Sequence, residues 1–493
     1  MYNCISYEKN KIMSNSAFIG RKNELETLNA LFLKKSASLV VIKGRRRIGK
    51  SRLVQEFAKD KSFFVFSGIA PVEGILAQSQ RDVFAKQLGN QIGLSSIQSQ
   101  DWTDLFTLLA KGSSEGPVII LFDEISWMGS KDPTFLGKLK NAWDLEFTKN
   151  KELILILCGS VSTWIEQNII SSTAFFGRIS LSLNLEELPL NDCSKLLDRQ
   201  GFIGSAYEKF KILSVCGGVP WYLEQIRPDL NADDNIKNLC FSKSGMLFNE
   251  FNLIFHDLFE KRSELYRSIA SVLASGAKEY NQISQELKYP KSGALSSYIE
   301  DMIQSGFITR DYTWSIKTGK PARLSHFRLS DNYLRFYLKF VMPNKEKIMQ
   351  DSFRDIKMDT LPGWRAILGL QFENLALKNR KVIWQKLKIK PEDIVVNNPF
   401  FQRKTVKTPG CQIDYLIQTC FNTLFVCEVK FTQTEIKTDV IQEMKDKLSR
   451  FILPRRFSCW PILIHVNGVS ENVVDQGYFT KIIDFSQLLE EDH

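Results

Sequence analysis

One octapeptide limits this chain more than any other feature: Gly44-Arg45-Arg46-Arg47-Ile48-Gly49-Lys50-Ser51. It fits the spacing G-x-x-x-x-G-K-[ST], and its neighbours give that spacing structural meaning. Leu39–Lys43 (LVVIK) reads as a β-rich apolar strand, and Ser51–Asp60 (SRLVQEFAKD) as a helix. A strand that delivers a glycine turn to a helix start points backbone N–H groups and a helix dipole at phosphate. Gly44 and Gly49 permit the tight loop, Lys50 brings an ammonium to the β- and γ-phosphates, and Ser51 offers a hydroxyl to Mg²⁺. Ile48 and Arg52 belong to the same nucleotide-facing stretch. Arg45, Arg46 and Arg47 either contact phosphate or are solvated. ATP and Mg²⁺ are the expected cofactors.

Two further strand ends carry polar chemistry. Val118–Phe122 runs into Asp123-Glu124, an apolar strand ending in two carboxylates. Asp123 suits the Mg²⁺ shell and Glu124 the polarisation of an attacking water. Leu153–Cys158 runs into Gly159-Ser160, where Ser160 either senses the γ-phosphate or serves ordinary turn chemistry. Short strands alternate with amphipathic helices up to about residue 190, the pattern of a parallel α/β sheet.

Taken in order, Phe18-Ile19-Gly20-Arg21, GRRRIGKS, LFDE, CGS, FFGR at Phe175–Arg178 and GGVPWYL at Gly217–Leu223 resemble the archaeal and bacterial ATPases of the AAA+/STAND group. The resemblance covers about residues 18–230. It implies that Gly20 and Arg21 join the nucleotide-binding set and that Gly218 and Pro220 form an adenine-side motif. It also implies that Arg178 is an arginine finger, against the plainer reading of a surface salt-bridge arginine. A finger of this kind implies a homo-oligomer.

Residues 191–260 read as an all-helical lid. Residues 261–335 pattern as a winged helix: Ser263–Ala274, Tyr280–Leu287 and Gly293–Gln304 as helices, then strands around Phe307–Arg310 and Phe327–Leu329 flanking a basic loop, Lys317–Arg323. Such a module either packs between domains or enters a DNA groove. Asn332–Phe340 (NYLRFYLKF) reads as core or interface material.

Residues 336–493 form a second α/β pattern with its own polar constellation. Asp414 lies in the strand Gln412–Ile417, and Phe425–Phe431 (FVCEVKF) carries Glu428 and Lys430 on one strand face. Glu373 sits on an upstream helix, LGLQFENLAL. Carboxylates plus E-x-K on neighbouring strands suit a Mg²⁺ that activates water against a phosphodiester, with Asp414, Glu428 and Glu373 as ligands and Lys430 as the catalytic cation. The set resembles the PD-(D/E)XK nucleases, although Ile413 stands where that motif has Pro. A nucleic-acid-binding version without activity and simple structural pairing are the alternatives.

The expected architecture is therefore a P-loop NTPase parallel sheet (18–190) after a loose N-terminus (1–17). A helical lid, a winged-helix middle domain and a C-terminal α/β nuclease-like domain follow. No run approaches the ~18 apolar residues of a membrane span. The N-terminus has no apolar signal region, so a cytoplasmic protein with no membrane partner is expected. Nine cysteines without zinc-ligand spacing read as reduced thiols. The net charge of +10 is compatible with a nucleic-acid partner, DNA first. The four histidines are dispersed and suggest no triad or metal site.

Overall fold

The computed structural model describes residues 18–491 apart from 71, 73, 161, 260–262, 354–355 and 407, so the N-terminal segment 1–17 lies outside it. The chain forms two compact units: Met1–Gly44 with Gly49–Leu185, and Arg45–Ile48 with Glu186–His493.

The first unit is organised by a five-stranded sheet. β1 (Ser38–Lys43), β2 (Ser62–Ser67), β3 (Val118–Asp123), β4 (Leu153–Gly159) and β5 (Ile179–Asn184) lie in the order β2-β3-β4-β1-β5. All four pairings are parallel. Parallel strands need helical crossovers, so a central strand is covered on both faces and must be apolar throughout. β4 meets this demand at every residue, β3 at all but its last, and β1 at all but Ser38 and Lys43. The crossovers include α1 (Lys22–Asn29), α2 (Lys50–Phe57), α3 (Ala77–Ile92), α4 (Trp102–Gly112) and α5 (Phe135–Leu145). One face is packed by aromatic rings: Phe84 meets Phe66, Trp102, Phe106 and Phe122 at centroid distances of 4.2 to 5.8 Å. The register pairs Lys43 with Gly159, so the carboxyl ends of β1 and β4 come out level. That edge of a parallel sheet is where ligands bind.

The second unit begins with α6 (Leu190–Arg199), α7 (Ala206–Cys216), α8 (Ala232–Cys240) and α9 (Met246–Phe259). Next come α10 (Ser263–Leu273), α11 (Tyr280–Glu286) and α12 (Gly293–Gln304), then an antiparallel hairpin, β6 (Ile308–Trp314) and β7 (Pro321–Leu329). The hairpin strands are longer than their apolar runs suggest. β7 starts at Pro321, which places Arg323 on the strand and not in the basic loop. A mixed sheet in the order β12-β11-β10-β9-β8 ends the chain: β8 (Ile394–Gln402), β9 (Cys411–Thr419), β10 (Thr423–Phe431), β11 (Ser458–Val466) and β12 (Lys481–Asp484). Its two faces alternate as the pleat requires. Tyr415, Ile417, Cys427, Ile462 and Ile464 join one core, and Leu416, Val426 and Leu463 another; a register shift between Asn398 and Phe400 breaks the alternation, and Ile413 joins the second core.

The first of these cores is continuous from Leu188 to Leu489. Helices of the 190s, the three-helix segment and the C-terminal sheet therefore share one interior. Its centre is polar. α13 (Asn332–Phe336) and α14 (Trp364–Lys378) meet there through buried side chains. Gln371 donates to Ser214 O (2.8 Å) and Asn332 O (2.6 Å), and accepts from the Arg335 guanidinium (2.8 Å). Asn374 donates to Leu329 O (2.9 Å) and accepts from Arg328, whose Nε donates to Asp311 at 3.0 Å. Gln371→Leu keeps the shape of this helix face but orphans two carbonyls and part of a guanidinium. Each orphaned buried group costs about 1–3 kcal/mol. Thermal denaturation followed by circular dichroism should show a large loss of stability in the unit that carries Gln371, whereas a Tm within a degree of wild type contradicts this account of the centre.

Candidate nucleotide site and C-terminal acidic cluster

β1 ends at Lys43, and Gly44 then takes φ +151°, a conformation L side chains avoid. Arg47 (φ 68°) and Gly49 (φ 90°) are also left-handed, which turns the loop so that α2 starts at Lys50. The Lys50 ammonium is buried and donates to Gly44 O at 2.9 Å, folded over the loop it would serve. Ser51 Oγ donates to Asp123 Oδ2 at 2.6 Å. A hydroxyl and a carboxylate at hydrogen-bond distance from the end of β3 are the protein oxygens that a phosphate-bound Mg²⁺ uses, the rest of its shell being water and phosphate. The donor set fits that ion.

Glu124 follows at φ 50°, ψ 50°, a left-handed non-glycine residue of the kind that persists where surrounding structure enforces it. Its carboxylate accepts from Ser160 Oγ at 3.0 Å and Ser160 N at 3.3 Å. Ser160 is thereby tied to the candidate base. Arg178 makes a two-pronged pair with Asp144, 2.7 and 2.9 Å, and holds that carboxyl down to about 2. Gly20 (φ 76°) and Arg21 (φ 59°) form the left-handed turn into α1, and Arg21 Nη1 donates to Glu24 at 3.1 Å. Arg46 and Arg52 are partly buried and Ile48 is buried.

Arg45 and Arg47 are engaged by carboxylates of the second unit, with which Arg45–Ile48 counts. The Arg45 guanidinium is fully buried against Asp331 and Glu187. Burial alone would lower its basicity, but those carboxylates outweigh burial and raise it. Arg47 pairs with Glu250 and lies 3.4 Å over the Trp221 ring. In the same unit Pro220 opens the short helix Pro220–Leu223, and Gly218 N donates to Glu187 at 3.0 Å. A Cβ at Gly218 would stand 2.2 Å from Leu188 O, which explains the glycine. Glu187 had no signal in the sequence.

Residues 18–226 match the family model described as an ATPase domain predominantly from Archaea. The chain carries a P-loop ATPase domain. An uncharacterized protein of Methanocaldococcus jannaschii is 24% identical over 365 residues, which is 73% of this chain and 76% of that protein. An uncharacterized ATP-binding protein of the same organism is 41% identical over 44 residues, 9% of this chain and 75% of its own length. Among solved structures, a Walker-type ATPase of Pyrococcus abyssi has a TM-score of 0.49 at 17% identity, covering 66% of this chain and 96% of that one. The ORC2 protein of Aeropyrum pernix has 0.43 at 13%, covering 69% and 97%.

The C-terminal candidates lie on three adjoining elements: Glu373 on α14, Asp414 on β9, Glu428 and Lys430 on β10. As strand alternation requires, Glu428 and Lys430 meet one helix, α15 (Asp439–Arg450). There Lys430 pairs with Glu443, and Lys447 pairs with Glu428 and stands 3.6 Å from Asp414. Lys447 is the residue that sequence reasoning missed; one lysine among many on a charged helix gives no signal. Burial would lower it, but Asp414 and Glu428 hold it raised. Glu428 is raised by burial and by Asp414. Among the described residues no group of three His, Cys, Asp or Glu side chains could hold a metal ion. The arrangement thus does not fit the expected Mg²⁺: an ammonium already neutralises the two strand carboxylates, and Lys430 is engaged elsewhere.

Within the ATPase domain, Lys50→Ala should abolish ATP binding by titration calorimetry. Glu124→Gln should bind ATP and lose turnover, because an amide cannot take the proton of a water. Unchanged affinity in the first variant, or unchanged turnover in the second, overturns the assignment.

A pH effect follows from Glu373. Burial, then Asp414, raises its carboxyl from 4.5 to about 7. The unfolded chain loses this proton at lower pH than the folded one, so the group's contribution to stability is full below about 4.5 and is lost as pH rises through about 7. Wild-type Tm should therefore fall relative to Glu373→Gln between pH 5 and 8. Parallel Tm curves for the two proteins would show that Glu373 is solvated.

Proposed function

We propose that this chain is an ATP-hydrolysing switch whose C-terminal region binds nucleic acid without cutting it. The observation that carries the second half is the Lys447 ammonium shared by Glu428 and Asp414 where a nuclease would need a divalent ion.

In the ATPase half, the loop N–H groups and Lys50 bind the phosphates. Ser51 and Asp123 would hold Mg²⁺, which when bound neutralises charge on the β- and γ-phosphate oxygens. Glu124 orients and deprotonates the attacking water. Ser160, bonded to Glu124, is placed to register whether that carboxylate is engaged. In a homo-oligomer Arg178 would leave Asp144 to reach a neighbour's nucleotide, the exchange of one oxyanion partner for another. By resemblance to this ATPase group, Gly20 and Arg21 join the nucleotide-binding set and Gly218 and Pro220 take the adenine side.

On the nucleic-acid side, the three helices α10–α12 with their hairpin are read as a winged helix, and the basic stretch Lys317–Arg323 as its phosphate contact. The net charge of +10 favours a polyanion, DNA first. A cytoplasmic setting suits these partners. The nuclease reading keeps one support: Asp414 is electrostatically coupled to both Glu373 and Glu428, as clustered metal carboxylates are.

The deciding experiment incubates the purified chain with ATP and with Mg²⁺ or Mn²⁺ on single- and double-stranded DNA and RNA. The switch reading expects ATP turnover, nucleic-acid binding that weakens with salt, and intact substrate. Divalent-dependent cleavage that disappears in Asp414→Ala hands the function to the nuclease reading. Absence of nucleic-acid binding at low salt removes that partner from both.

A further inference from the structure

A cavity of about 330 Å³ opens in the second unit between the hairpin segment and the C-terminal sheet. That is near the lower end of the range for small-ligand pockets, roughly 300–1,000 Å³. Its chemistry is graded from mouth to floor. Gln282 and Gln412, both exposed, stand at the entrance. His326 and Phe401 form one wall, their rings stacked at 3.7 Å between centroids. Arg328 and Arg335, both buried, belong to its lining, with Glu373 beside them.

The two arginines are not equivalent. Arg328 is spent on Asp311 and Asn374. Arg335 is 1% exposed and, among the described residues, binds only neutral acceptors, Leu329 O, Leu370 O and the Gln371 side chain. Among the described residues its Nε has no hydrogen-bond partner, and neither does His326 Nδ1 in the same lining. A buried guanidinium with an idle N–H and no carboxylate paired to it carries a desolvation cost that an anion would relieve. Burial and the neighbouring Arg328 lower its basicity to about 9, against the opposing pull of Glu373 and Asp331.

We propose that this cavity is a binding site for a phosphate monoester of about nucleoside-monophosphate size. Phosphate goes to the Arg335 and Arg328 floor, and His326 adds a polar contact. The organic part lies toward the glutamines at the mouth. Phosphate is favoured over a carboxylate because two guanidinium groups line one small space and phosphate offers three terminal oxygens to them. The site does not depend on whether the C-terminal sheet cuts nucleic acid. Free nucleotide and the phosphorylated end of an oligonucleotide share the required chemistry.

The test uses the full chain carrying Lys50→Ala, which disables the P-loop, and AMP, which lacks the phosphates that loop grips best. Calorimetry should show saturable binding of AMP and, more weakly, of inorganic phosphate, and no binding of adenosine. Arg335→Gln should weaken AMP at least tenfold. Because Arg335 also supports the core, a second variant decides if that one melts early: Gln412→Trp, an exposed change that obstructs the mouth, should weaken AMP by a similar factor. A terminally phosphorylated dinucleotide binding more tightly than AMP assigns the site to chain ends, and equal or weaker binding assigns it to free nucleotide. No saturable binding of AMP, adenosine binding equal to AMP, or full affinity in Gln412→Trp overturns the proposal.

Discussion

The second unit rests on a buried knot of amides and guanidinium groups. Gln371 and Asn374, one helical turn apart on α14, accept from Arg335 and Arg328 and donate to carbonyls of three other segments. Buried polar groups are expensive unless every one is matched, and a matched set fixes one arrangement because any slip leaves several unmatched. Apolar contacts hold these elements together; the knot fixes their register. The same requirement makes the idle Arg335 Nε conspicuous, since an unpaired buried donor calls for a partner.

In the first unit the governing constraint is different. The parallel sheet buries β1, β3 and β4 so completely that, Ser38 at the start of β1 apart, polar side chains stand only at the carboxyl ends. Lys50, Asp123, Glu124 and Ser160 follow directly from those ends. Their pairings, Ser51 with Asp123 and Glu124 with Ser160, satisfy each group in the absence of ligand. Nucleotide must therefore trade one set of hydrogen bonds for another, which is the exchange a switch requires.

Legibility differed between the two units for physical reasons. The loop and strand ends of the ATPase domain were visible because short sequence windows contain all their participants. The helices at Ser263–Leu273, Tyr280–Glu286 and Gly293–Gln304 were visible because core residues recur at 3.6-residue spacing. Lys447, Glu187, Glu443 and Arg335 were not, because their partners lie 13 to 191 residues away along the chain or are backbone carbonyls. The E-x-K spacing on β10 correctly put Glu428 and Lys430 on one face, yet could not reveal that a helix would supply each with an opposite charge. Arg45 and Arg47 show the same limit: a basic loop beside glycines looks solvated until the carboxylates Asp331 and Glu250 are seen to meet it.

The continuous core from Leu188 to Leu489 bears on how such a chain can change over evolution. A boundary at residue 260 or 335, where the sequence pattern shifts, would cut through one interior and bare aromatic surface such as Phe251 stacked on Tyr337 and Phe210 stacked on Phe431. Pieces that share an interior cannot be traded singly between proteins. The lid helices, the hairpin segment and the C-terminal sheet are therefore bound to be inherited as a block, and variation between relatives should gather on the surfaces that block presents.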